Sequence, residues 1–427
     1  MMITSNAPEL KVSQMAESLI GSEIIKLAGE INELIAKGEK IFNFTIGDFD
    51  PKIFPIPEKF TEEIIKAYQE GYTNYPPANG IAELRKAISS FLQDYQGVQY
   101  KPEEILVTGG ARPLIYAIYR TLLDKGDKVL FPVPSWNNNH YCHLVGAEQV
   151  MVETTAENNF MPLAEELEPH IKSASLVSLC SPLNPTGTIF SKESLEDICR
   201  LIIKENQRRN GNGKPLYLLY DQIYWMLTFG EAQHFDPVSL FPELRDYTIY
   251  VDGLSKSFAA TGVRVGWSFG PLPIIDKMKT ILGHVGAWAP KAEQVAAARF
   301  MNDRSAVDAF MLEFKEKINA RLQGFYKGFR QLRSEGFNVD AVYPQAAIYL
   351  TVKIDVKGKK TADGTLLETT KDVTSYILKE AKLAMVPFYA FGADENSPWF
   401  RLSIGTCALN QIEESLSFLK QALSKLS

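Results

Sequence analysis

A row of short apolar runs set between longer amphipathic stretches constrains this chain more than any other feature. Ile105–Val107, Lys128–Phe131, Leu176–Cys180, Leu216–Tyr220, Thr248–Val251 and Val265–Phe269 each have the length and the aliphatic or aromatic content of a buried strand. Helical patterns lie between several of them, as at Pro113–Leu123 and Ser191–Arg208. The loop Asn206–Lys214 (NQRRNGNGK) breaks the chain before the next strand. Strand–helix–strand alternation with nearly all-apolar strands predicts an α/β fold around a mainly parallel central sheet.

The last hundred residues read differently. A helical stretch over Ala292–Glu335 leads to YPQAAIYLTVKID, a helix near Val373–Leu383, then FRLSIG and a final helix over Gln411–Leu426. That order suits a smaller α+β unit. A chain of 427 residues also exceeds one ordinary core. The expected division is an N-terminal arm (1–48) joining the small domain, a large domain (49–310) and the small C-terminal domain (311–427).

Composition excludes some functions. A net charge of -6 and the lack of a basic stripe argue against a nucleic-acid partner. No stretch approaches the roughly 18 apolar residues of a membrane span, and the first residues, MMITSNAPELKVSQ, lack a signal-peptide core. The four cysteines (Cys142, Cys180, Cys199, Cys407) form no CxxC pair, and the five histidines make no metal-ligand pattern, so no metal is expected. Reduced thiols fit a cytoplasmic location.

In sheets of this kind ligands bind beyond the carboxyl ends of the strands, at the loops that follow them. Those loops read TGGARP, PVPSWNNN, SPLNPTG, DQIYW and DGLSKSF. TGGAR joins a strand to a helix, where glycines admit close backbone approach and free N–H groups meet an anion. Trp136 is either a stacking surface for a flat ring or a core tryptophan. Asp221 is either a carboxylate awaiting a cation or a helix cap, and Tyr224 either sets a hydroxyl beside it or packs. Asn184–Gly187 (NPTG) reads as a turn. Lys256 sits among Gly253, Ser255 and Ser257, which leave room for something bulky, and Arg264 offers a second anion ligand. Singly, each has a bland explanation. As an ordered set (an anion cup, a stacking ring, a carboxylate, a lysine and an arginine) they describe a phosphorylated pyridine aldehyde held on a lysine amine.

With these residues in view the chain resembles the class I and II aminotransferases, pyridoxal-phosphate enzymes of fold type I. GLSKSFAATGVRVG matches the family's lysine signature. YPPANGIAELR, PSWNN, NPTG, YDQIYW and FRLSIG follow its other motifs in order, from about Phe44 to the C-terminus. The resemblance implies transfer of an amino group from an L-amino acid, aspartate or a relative of it, to a 2-oxo acid. The alternative is a pyridoxal-phosphate-dependent lyase or synthase on the same fold. It implies Lys256 as covalent anchor and proton carrier, Asp221 against the ring nitrogen, Asn184 and Tyr224 on the ring oxygen, and Trp136 stacked on the ring. Gly110, Ala111, Arg112, Ser255 and Arg264 would hold the phosphate. Arg401 would bind the substrate α-carboxylate with Gly47 nearby and Trp136 and Asn184 alongside. It further implies a homodimer in which Tyr75 reaches the partner's site. Four positions depart from the pattern: Gly253 stands where a phosphate-binding serine is frequent, Arg112 where a smaller polar residue is common, Phe388 where glycine is frequent, and Ile348 where an aromatic closes the site. Lys291 is a candidate for a second substrate carboxylate, or else a surface lysine.

Overall fold

The computed structural model describes residues 11–19, 21 and 23–427. The reading of the first ten residues therefore lies outside the described residues. Strands in chain order are β1 (Phe42–Asn43), β2 (Ile105–Thr108), β3 (Lys128–Val133), β4 (Glu148–Glu153), β5 (Ala174–Cys180), β6 (Tyr217–Asp221), β7 (Thr248–Gly253), β8 (Gly266–Phe269), β9 (Val339–Ala341), β10 (Tyr349–Ile354), β11 (Leu383–Ala384), β12 (Val386–Pro387) and β13 (Trp399–Ser403). The main sheet has the order β2-β8-β7-β6-β5-β3-β4. Only β8 runs antiparallel to its neighbours β2 and β7.

The sheet is covered on both faces, which is why its strands are apolar along their length. Successive side chains point to opposite faces. Leu219, Ile249 and Val251 accordingly pack with the helices Ala111–Leu122 and Leu272–Val285. Leu218, Tyr220 and Tyr250 join the larger core on the other side, with Leu195 and Ile198 of the helix Lys192–Arg209.

A four-stranded antiparallel sheet, β12-β13-β10-β9, forms the second layer system, and β1 pairs with β11 in parallel. The stretch Ala292–Glu335 is two helices rather than one, Lys291–Asn302 and Arg304–Ser334. Asp303 between them accepts a hydrogen bond from the Ala306 amide at 3.1 Å, a helix-capping contact that starts the second helix. The first packs on the helices Glu58–Gln69 and Ala82–Gln96 beside the main sheet, and the second on β9, β10 and the C-terminal helix. The helix expected near Val373–Leu383 spans Thr370–Glu380, started by a Thr369–Asp372 capping box, and Leu383 belongs to β11. Edge strand β4 carries charge and is mostly exposed, so it shows no apolar run.

Candidate active site

The loops that leave the carboxyl ends of β3, β5, β6 and β7 meet residues of β10 and β13 around a crevice of 640 Å³. Eleven residues singled out from sequence line it: Gly47, Ala111, Arg112, Trp136, Asn184, Asp221, Tyr224, Ser255, Lys256, Arg264 and Arg401. Gly110 caps the helix Ala111–Leu122 immediately beside them. Tyr75 does not line its own chain's crevice. It stands 80% exposed, edge-on to Trp288 at 5.1 Å.

Asp221 is the last residue of β6, in register with Cys180 of β5, rather than a residue after the strand. Its Oδ1 accepts the Ile223 amide at 3.0 Å, and no cation pairs with it among the described residues. Desolvation pushes its carboxyl up to about 6, against that one hydrogen bond. Lys256 lies in the short helix Leu254–Ser257 that follows adjacent strand β7. Its Nζ donates to the Gly47 carbonyl at 2.5 Å. Although the side chain opens onto the crevice, the amine is lowered to about 8, chiefly by desolvation, with Asp48 opposing and Arg401, Arg112 and Arg264 adding to the shift. A lysine so poised has a free-base fraction near neutrality that a surface lysine lacks.

The anion cup is built from backbone. Gly110 has a φ of +99°, and a Cβ there would fall 2.1 Å from Arg264 Nη2, so only glycine lets the guanidinium close on the helix start. Arg264 donates to the Thr261 carbonyl at 2.6 Å and to the Gly109 carbonyl at 2.9 Å. The guanidinium of Arg112 stacks over the Trp136 ring, 4.7 Å from its centre. Gly253 has a packing reason of its own: a Cβ would lie 2.8 Å from Gly266 Cα, so the serine frequent in relatives has no room.

Arg401 is buried on β13. Its Nη1 donates to Asn184 Oδ1 at 3.0 Å and its Nη2 to the Thr45 carbonyl at 2.6 Å, while Nε has no partner among the described residues. A buried guanidinium with an unused donor fits an incoming carboxylate. The rings of Tyr349 and Phe391 lie 4.6 and 4.9 Å from it.

Sequence reasoning missed Tyr349. Its hydroxyl lies 2.6 Å from that of Tyr224, and it lines the crevice, whereas its neighbour Ile348 is buried in the core. The aromatic that the resemblance sought at position 348 is thus supplied one residue later, where β10 begins. Phe388 is buried against Phe160, edge-on at 5.1 Å, beside Trp136. Lys291 donates to Asn74 Oδ1 at 2.7 Å and does not line its own crevice. Also missed was buried Asp252, which accepts from Trp225 Nε1 at 2.9 Å and the Gly253 amide at 2.7 Å, fastening the Tyr224 loop to β7.

The donor set fits pyridoxal phosphate: an anion cup, a stacking ring, an unpaired carboxylate for a ring nitrogen and a depressed lysine for an aldehyde. Residues 39–419 match the family described as aminotransferase class I and II, and the chain belongs to that family of pyridoxal-phosphate-dependent aminotransferases. It is 30% identical to an aspartate aminotransferase of Bacillus sp. (strain YM-2), covering 95% of this chain and 97% of that one. It is 29% identical to a probable aspartate/prephenate aminotransferase of Rickettsia felis, covering 97% of each. The crystal structure of an aspartate aminotransferase from Rhizobium meliloti superposes with a TM-score of 0.90 at 27% identity, covering 98% of this chain and all of that one. An aromatic aminotransferase from Pyrococcus horikoshii gives 0.81, also at 27% identity, covering 92% of this chain and 98% of that one. The fold is fold type I of the pyridoxal-phosphate enzymes.

The uncompensated Asp221 predicts a pH signature for the cofactor-free protein. Its folded value near 6 lies above the ordinary 3.8, so the folded state holds this proton more tightly than the unfolded one. Its contribution to stability is therefore fully present below about pH 4 and is lost as pH rises through 6. Asp221→Asn should stabilise the cofactor-free protein above pH 7 by up to about 3 kcal/mol, with the gain fading toward pH 4. Urea denaturation at several pH values measures it.

Proposed function

We propose that the chain transfers an amino group from an acidic L-amino acid, aspartate or a close relative of it, to a 2-oxo acid, with Lys256 as the working amine. The observation that carries this reading is the lysine lowered to about 8 in the same crevice as a buried arginine with a free donor. Bound pyridoxal phosphate supplies an electron sink for the negative charge left on the substrate α-carbon.

In this reading Arg401 grips the α-carboxylate and fixes the substrate's orientation. Lys256 would anchor the cofactor and, once free, carry a proton at the substrate α-carbon as base and acid. Asp221 would face the ring nitrogen as a carboxylate, which would relieve its desolvation. Asn184 and Tyr224 would hold the ring oxygen, with Tyr349 orienting the Tyr224 hydroxyl. Trp136 would stack on the ring. The Gly110–Arg112 backbone, Ser255 and Arg264 would hold the phosphate. A lyase or synthase would use the same anchors, so the products decide. Incubation with single amino acids and 2-oxoglutarate, pyruvate or oxaloacetate should yield the matching oxo acid and a new amino acid. Release of ammonia or carbon dioxide instead would favour the alternative.

We also propose a homodimer in which Tyr75 of the partner subunit reaches the phosphate. Its exposure and its place on the TNYPPANG loop support this. Lys291, held to Asn74 next to Tyr75, would travel with that loop and meet a second substrate carboxylate, which is why an acidic donor is favoured. The division into arm (1–48), large domain (49–310) and small domain (311–427) belongs to this proposal, as does a cytoplasmic location, supported by four free cysteines. No helix of the described residues is long and apolar enough to cross a membrane.

Two outcomes follow. Arg401→Lys loses the paired geometry that a guanidinium offers a carboxylate, so KM for amino acid and oxo acid should rise by about tenfold or more, while amines without a carboxylate are little affected. Steady-state kinetics on both ligand types checks this. Inactive Lys256→Ala mixed with weakened Tyr75→Phe and allowed to exchange subunits should regain activity at low cofactor, because each hybrid holds one intact site. No gain on mixing would contradict a shared site.

A further inference from the structure

The roles above leave Asp48 unused, although it and Asp221 are the two acidic residues on the crevice wall among the described residues. Asp48 ends a four-residue segment, Thr45–Asp48, that follows β1 and touches each working group of the substrate side. The Thr45 carbonyl accepts from Arg401 Nη2 at 2.6 Å, and the Gly47 carbonyl accepts from Lys256 Nζ at 2.5 Å. The Asp48 carboxylate accepts, through Oδ1, from Thr261 Oγ1 at 2.6 Å and from the Phe49 amide at 2.8 Å. Thr261 lies in the turn just beyond Lys256, so the carboxylate is tied to the lysine loop from the opposite wall of the crevice.

The backbone here has little freedom. The Asp50 amide donates to the Gly405 carbonyl at 2.9 Å, and a Cβ on Gly405 would fall 2.0 Å from the Asp48 carbonyl oxygen. A fixed backbone and two hydrogen bonds to one oxygen make a carboxylate of defined position, which a solvated surface aspartate does not have. Among the charged groups of the crevice, Asp48 favours the protonated Lys256 amine, whereas Arg401, Arg112 and Arg264 disfavour it. The rings of Phe49 and Tyr224 each lie 5.9 Å from Nζ. Three cations share the crevice with the amine. Without the Asp48 carboxylate an ammonium there would have the Gly47 carbonyl as its acceptor but would face more of the cations' repulsion, added to desolvation.

We propose that Asp48 is a positioning residue for Lys256: its carboxylate is the counter-charge that keeps the amine, whenever it is not joined to the cofactor, on the Gly47 carbonyl and able to carry a proton. This rests on the assignment of Lys256 as the working amine. It adds that the arm side of the crevice supplies the charge balance the lysine needs after release, beside the segment that braces Arg401. One segment thereby joins the grip on the substrate carboxylate to the resting place of the lysine.

The test reads Lys256 directly, without turnover. The full chain freed of cofactor is treated with fluorodinitrobenzene across neutral and alkaline pH, and the modification rate of the Lys256 peptide is followed by mass spectrometry. Wild type should show a midpoint near 8. Asp48→Asn keeps an oxygen for Thr261 and Phe49 but removes the charge. It should move the midpoint down by about one pH unit and speed labelling at pH 7 by about fivefold. Asp48→Glu restores the charge and should return the midpoint toward wild type. An unchanged midpoint in Asp48→Asn overturns the proposal, and so does an equal shift in the Asn and Glu variants, which would mean a purely structural role. Failure of Lys256 to react at any pH, with other lysines labelled, would instead overturn the assignment of the working amine and the proposal with it.

Discussion

The structure turns on a carboxylate that β6 delivers into a crevice where, among the described residues, no cation pairs with it. Asp221 ends one parallel strand, and Lys256 follows the end of the next. Parallel strands hydrogen-bonded side by side fix the positions at which these two groups enter the crevice. Burial raises one and lowers the other, so each is driven toward its neutral form. Under the proposed roles a protonated pyridine nitrogen and an aldehyde would relieve both at once, and the cost of burying the two groups would become affinity for the cofactor, the exchange expected where charged groups are preorganised for chemistry.

The substrate side comes from elsewhere in the chain. Arg401 lies on β13 of the four-stranded sheet, and its braces come from the NPTG loop after β5 and from Thr45 beyond β1. The crevice is therefore closed by segments far apart in sequence, and the Thr45–Asp48 segment links them. Under the proposed roles, an amino acid held by Arg401 would meet an arginine braced by the same short stretch of backbone that accepts from the lysine amine.

Much of this was legible in the sequence because parallel strands buried on both faces are apolar throughout. The loops after them must then carry the polar chemistry, and the lysine and NPTG motifs could be found by looking there. What was not legible has physical reasons. Strand β4 lies at the edge, mostly exposed, and shows no apolar run. The break at Asp303 depends on a side-chain cap inside a continuous helical pattern. Tyr349 reads as one more strand aromatic until the fold sets its hydroxyl against Tyr224. Asp252 reads as a loop acid until Trp225 meets it. Asp48 lies 208 positions from Lys256, and only the tertiary fold brings them to one crevice. Gly253 looked like a missing phosphate ligand and is a packing requirement against Gly266.

The central claim, that this desolvated lysine is the covalent anchor, is tested most directly by borohydride trapping. The protein loaded with pyridoxal phosphate is reduced and digested, and the modified peptide is located by mass spectrometry. The account predicts one reduced adduct per chain, on Lys256, and loss of the visible absorption of the bound cofactor in Lys256→Ala. An adduct on another lysine, or a Lys256→Ala protein that keeps the same absorption and turnover, would contradict it.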